Sequence, residues 1–242
     1  MVLPSFVTVL LSSFAVLPAF WRYPFDDPNM LTTPATYQLQ TLWHASTQDI
    51  SSLWAHHVSL IIEDNLTLDE YTSIQPTHSQ RIAWRNVVTS LLNIAVDDAD
   101  GNSDCSSVRE TIPDVLQGIY TVEEVDNGRF CALIEVGTVR REDREEFAKG
   151  WGIFVVPTKR AVNGVTGTTL HLSAPHPIYD QHTAGQAAHV FEQTGAKSLY
   201  IPGRSRRSFL EQTDCIVDSE TKYWKTDPAH DKVSHRLLSC DR

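Results

Sequence analysis

The stretch from Thr168 to Gly203 reads strand, helix, strand, and this succession constrains the fold more than any other part of the chain. "TTLHLSA" is β-branched at its start and alternates in character, as a strand does. "TAGQAAHVFEQTG" sets Ala184, Ala187, Ala188 and Phe191 at i, i+3, i+4 and i+7, with Thr183 as the expected N-cap and Gly195 just past the C-terminus. "KSLYIPG" is a second strand, broken by Pro202 and Gly203. A helical crossover of this length joins parallel strands of one sheet. In such a sheet, functional groups collect beyond the carboxyl ends of the strands, where the loops emerge. The loop after the first strand carries His176, Asp180 and His182, and the loop after the second carries Arg204, Arg206 and Arg207. The topology therefore predicts that imidazole, carboxylate and guanidinium groups share one edge of the sheet.

The remaining segments fit around that unit. "HHVSLIIEDNLT" reads as a short buried strand, and "SQRIAWRNVVTSLLNIA" as a helix with Ser79 as its N-cap. "VDDADGNSDCSS" has loop composition and marks an insertion around residues 96–107. "GIYTVEEV" and "RFCALIEVGTV" flank "DNG" and predict a hairpin turning over Asp126, Asn127 and Gly128. "DREEFAKGWGIFVVP" predicts a charged helical turn followed by a buried strand from Gly152 to Val156. No period of 20 to 50 residues recurs, which excludes solenoids and propellers. The expected fold is α/β: a central mixed, partly parallel sheet flanked by helices, with a C-terminal βαβ unit, in a single domain over residues 20–242. The 242 residues, 41% of them hydrophobic and 21% charged, suit one such domain with a conventional core.

Residues 1–20 are apolar or small, and the first charge comes at Arg22. They read as a signal peptide ending at Ala19, although a basic n-region is missing. The competing reading is a membrane anchor, since about 20 apolar residues span a bilayer; serines, a threonine and two prolines weigh against it. The expected product is secreted, with no stable membrane association once the leader is removed. The four cysteines agree with an oxidising compartment, because none forms a CxxC pair. Of three possible pairings, the local one, Cys105 with Cys131 and Cys215 with Cys240, is preferred. "NLT" at Asn65 is the single glycosylation sequon. A formal charge of -10 argues against a nucleic-acid partner, which would require a basic footprint.

His176 lies between Pro175 and Pro177, which narrow the directions its ring can take. Asp180 follows four residues later, and zinc accepts both ligand types. His230, three residues after Asp227 in "KTDPAHDKVSH", is the candidate third ligand. "PGRSRR" supplies Arg204 and Arg206 to bind a carboxylate or phosphate group through guanidinium forks; in an exported chain it could equally be a basic processing site. His171, His182 and His189 read as ordinary strand and helix residues. GxSxG, HExxH, Walker and GxGxxG patterns are all missing, so serine hydrolase, zincin, nucleotide triphosphatase and dinucleotide-binding readings have no support.

From Trp151 to His230, "KGWGIFVVP", the long block from Leu170 to Arg204 and "TDPAH" resemble an uncharacterised family of secreted fungal proteins. Its pattern has an "APHP...D" loop, a "GAKSL...GRHR" strand end and a "DPxHN" segment, with a later histidine in an "HG" context. The resemblance implies a secreted α/β protein and no particular activity. Ser205 stands where the pattern has histidine, Asp231 where it has asparagine, and the later histidine segment is not reached by Arg242. Two functions are expected. One is a secreted metal-dependent hydrolase acting on amide or ester bonds of an extracellular, anionic small molecule or polymer: His176, Asp180 and His230 would hold zinc, and Arg204 and Arg206 would hold the substrate. The alternative is a catalytically inactive secreted protein that binds an acidic glycan or other anion, or an accessory protein of a secondary-metabolite pathway.

Overall fold

The computed structural model describes residues 49–63, 66–94, 104–161 and 169–209. The expected signal peptide, the expected glycosylation site Asn65, the expected Cys215–Cys240 pair and the candidate ligand His230 lie outside these residues. The element order is α1 (Ile50–Ser59), α2 (Leu68–Ser73), α3 (His78–Ile94), α4 (Cys105–Glu110), a 3-10 turn (Asp114–Leu116), β1 (Tyr120–Val125), β2 (Phe130–Glu135), β3 (Thr138–Arg141), β4 (Arg144–Phe147), β5 (Ile153–Pro157), β6 (His171–Ser173), α5 (Thr183–Thr194) and β7 (Ser198–Ile201).

The main sheet runs β1-β2-β5-β7-β6. β6 and β7 pair in parallel, with His171 opposite Ser198 and Ser173 opposite Tyr200, while the other pairs are antiparallel. This is the mixed, partly parallel α/β sheet expected from sequence, with β6, α5 and β7 forming its C-terminal βαβ unit. β2 and β5 are buried along their whole length because helices cover both faces of the sheet. Cys131, Leu133, Phe154 and Val156 face Trp84, Val87 and Leu91 of α3 together with α4. Phe130, Ala132, Ile134, Ile153 and Val155 face Ile50 and Leu53 of α1 and Ala184, Ala188 and Phe191 of α5. Successive strand residues alternate between the two clusters, so a continuous apolar run contributes to two cores at once.

The β1–β2 hairpin turns over Asp126 and Asn127, both at φ 53°, and Gly128 at φ 78°. This backbone is the one that Asp, Asn and Gly tolerate best. The disulfide expected between Cys105 and Cys131 is present and ties α4 to the buried strand β2.

Several local expectations are corrected. Residues 50–59 form a helix where a strand was expected over 58–62: Ile50, Leu53 and His57 are buried at helical spacing, and Asp49 caps the end by accepting from the Ser52 amide. The apolar run Leu60 to Ile62 is buried in a third cluster with Leu66, Tyr71, Ile74, Phe147 and Phe209, and Ile62 makes a single parallel bridge to Arg204. Thr77, not Ser79, caps α3: its hydroxyl accepts from the Gln80 amide and the Gln80 side chain accepts from the Thr77 amide. The charged segment around residue 144 is a second hairpin, β3–β4, and not a helical turn. Its alternating charges pair across strands, with Arg141 bonded to Glu146, and Glu142 turns the chain at φ 50°. Thr183 is the first residue of α5 and not its cap; His182 precedes it at φ 65°. Residues 105–107, placed in a loop insertion from composition, belong to α4.

Candidate functional site

The carboxyl ends of β6 and β7 lead into loops 174–182 and 202–209, and the two loops meet. The Arg206 guanidinium carbon lies 3.7 Å from the centre of the Tyr179 ring, and that of Arg207 lies 5.1 Å from it. Tyr179 is 42% exposed, so this contact forms an outward-facing rim. Within the first loop the Asp180 amide donates to the His176 carbonyl, making one turn, and the Asp180 carbonyl accepts from the Thr183 amide and hydroxyl. Asp180 is exposed and His176 half-buried. His171 lies at the amino end of β6, opposite Ser198, and its Nδ1 is 2.6 Å from the Ser198 hydroxyl; His182 and His189 are exposed.

Arg204 has a different role from the one expected. It is 1% exposed, and its Nε and Nη2 donate to the Lys149 carbonyl at 2.9 and 2.7 Å, with Nη2 also reaching the Ile74 carbonyl at 3.2 Å. Its guanidinium stands 5.8 Å from the centre of the Tyr71 ring, which stacks on Phe209. Burial lowers its pKa, and nearby Tyr71, Glu135 and Tyr200 oppose that effect. Ser205, Ser208 and Phe209 are buried as well, while Arg206 is half-buried and Arg207 exposed.

Beneath this edge lies a polar group that the sequence reading missed. Glu135, at the end of β2, is 1% exposed. Its Oε1 accepts from the amides of Lys149 at 2.6 Å and Gly150 at 3.0 Å, and its Oε2 from that of Trp151 at 2.9 Å. The carbonyls of the same loop are bonded from the other side: Lys149 by Arg204, Trp151 by the Tyr200 hydroxyl and Gly152 by the Tyr120 hydroxyl. Loop 148–152 is thus satisfied on both sides by buried side chains, as buried backbone must be. Burial pushes the Glu135 carboxyl up to about 7, against the pull of its three amide partners and Arg204. A carboxylate ending the apolar run "FCALIE" was the available cue. The missing information was its partner, because amides 14 to 16 residues downstream carry no side-chain signature.

Close backbone contact holds the loop in place. A Cβ on Gly203 would come within 2.8 Å of the Gly150 Cα, and one on Gly152 within 2.4 Å of the Ile201 carbonyl oxygen. On the opposite side of β4, a cleft of about 510 Å³ is lined by Glu63, Leu66, Glu70, Arg141, Glu142, Arg144 and Glu146. Its two arginines are engaged by Glu63 and Glu146.

Against known proteins, the chain matches no family model, no curated protein and no solved structure.

Among the described residues, no three His, Cys, Asp or Glu side chains come together in a way that could hold a metal ion. Of the expected ligands, His176 and Asp180 share one loop turn. The structure thus brings together Tyr179, Arg206 and Arg207 with the turn that carries His176 and Asp180, and it places Arg204 in the interior.

Proposed function

We propose that the protein is a secreted, catalytically inactive binding protein that takes an anionic group of an acidic glycan, or another extracellular anion, at the rim between loops 174–182 and 202–209. The observation that carries this reading is the stacking of Arg206, with Arg207 beside it, on the exposed Tyr179 ring. An aromatic face attracts a guanidinium, and guanidinium groups pair with carboxylate, sulfate or phosphate, so two arginines gathered on one exposed ring make a local site of positive charge for an anion. An exposed aromatic in such a site also offers an apolar face to a sugar ring. The disulfide supports an oxidising destination, and the overall charge of -10 makes a local basic rim selective rather than generally sticky.

The test uses immobilised heparin and polygalacturonate, with neutral dextran as the control, over a salt series and with EDTA present. Binding of one acidic polymer, weakening with salt, insensitive to EDTA and at least about tenfold weaker in Arg206→Ala/Arg207→Ala, is the expected result; a charged hydrogen bond of about 1.5–3 kcal/mol sets that factor. Equal affinity for dextran, or an unchanged double variant, would overturn it. A metal-dependent hydrolase acting on amide or ester bonds is the second reading. The observation favouring it is the single turn, closed by the Asp180 amide on the His176 carbonyl, that carries both residues in the same loop. Zinc held there would need His230 or another ligand from outside the described residues. Stoichiometric zinc, and turnover abolished by EDTA and by His176→Ala, would replace the first reading with this one.

A further inference from the structure

α1 ends against the exit of β7, and a buried imidazole makes the joint. His57 is 2% exposed, and its Nε2 lies 3.0 Å from the Pro202 carbonyl oxygen. That oxygen can only accept, so Nε2 carries the proton and Nδ1 is left with its lone pair. Nδ1 is buried and has no hydrogen-bond partner among the described residues. One side of the ring packs on Phe147, centroid to centroid 4.8 Å. Just beyond, Ile62 and Leu66 are tied to the same strand exit: the Ile62 amide donates to the Gly203 carbonyl, the Ser205 amide to the Ile62 carbonyl, and the Leu66 amide to the Ser208 carbonyl.

We propose that His57 is an acid-sensitive latch, which fastens α1 and the segment after it to the β7 exit while its Nδ1 is bare and releases them when Nδ1 takes a proton. Among the described residues, a protonated Nδ1 would be a buried donor with no acceptor, on a cation with no carboxylate beside it, an arrangement that favours opening to water. The charged groups on the surrounding elements are committed elsewhere. His56, on the same turn, adds a like charge when protonated and opposes a second proton. Glu146, next to Phe147 on β4, is held by Arg141 and Arg144. Arg204, on the segment after β7, is bonded to main-chain carbonyls. On α5, Glu192 is attracted by Arg129 and His189 and repelled by Asp126 and by Asp49 at the far end of α1. Burial accordingly lowers the His57 pKa to about 4. The latch is independent of anion binding, because its readout is the backbone.

Amide hydrogen exchange, corrected for its intrinsic pH dependence, tests this on the full chain between pH 7 and pH 4. Protection over residues 50–62 should fall at least about tenfold as the pH drops below 6.5 while that of β1 and β2 persists. In His57→Gln, which keeps a neutral donor for Pro202, it should hold. Protection independent of pH, loss in all elements at the same pH, or the same local loss in His57→Gln would each overturn the proposal. If His57→Gln does not fold, the His57 ring resonances of the wild type decide: a midpoint well below the ordinary value of about 6.5 supports the latch, and one at or above it removes the latch.

Discussion

At the scale of the residue, Arg204 and Glu135 share one task from opposite sides. The carboxylate accepts the amides of Lys149, Gly150 and Trp151, and the guanidinium donates to the carbonyls of Lys149 and Ile74. Neither group reaches the other directly, yet each satisfies backbone that the other leaves open. Replacing Arg204 with Met should therefore strand buried carbonyls and lower stability by about 3 kcal/mol or more, with Arg204→Lys intermediate because an ammonium cannot make the fork; urea unfolding would measure both. Sequence alone pointed to the right edge of the sheet for Arg204 but not to its interior partners. An arginine in "PGRSRR" reads as a surface cation because its acceptors are main-chain oxygens far away in the chain, which no residue identity announces.

Among the elements, those with a strong period were legible and those with borrowed partners were not. α3, α5, the β1–β2 hairpin and the β6–α5–β7 unit followed from apolar spacing and turn residues. The β3–β4 hairpin did not, since "REDREEF" carries the charge spacing of an exposed helix and its pairing depends on Thr138 to Arg141 lying alongside. The end of α1 failed similarly: three apolar residues after Val58 look like a strand until the third cluster is there to bury them. α4 depends on a covalent tie. It has only six residues, with Arg109 donating to the Val122 carbonyl on the outer edge of β1 and the Cys105–Cys131 bond fixing its first turn to β2. Reducing that disulfide, or changing both cysteines to Ser, should remove about 3 kcal/mol and expose the β1 edge first; differential scanning calorimetry and amide exchange of Tyr120–Val125 would show both effects.

For the whole molecule, the pH dependence of stability follows from two buried groups with opposite signs. His57 has its pKa lowered to about 4 from 6.5, so the stability it contributes is full above pH 6.5 and is lost as the pH falls towards 4. Glu135 has its pKa raised to about 7 from 4.5, so its contribution is full below pH 4.5 and is lost as the pH rises through 7. Between those limits the slopes oppose each other. Relative to wild type, Glu135→Gln should lose stability more steeply on acidification from pH 6.5, and His57→Gln should gain it; chemical denaturation at half-unit pH steps would separate the two. The contact between Gly150 and Gly203 sets a further condition on the molecule as a whole. With no space there for even a methyl group on either backbone, drift at these two positions is closed, and the strand exits can evolve new loops only downstream of the crossing.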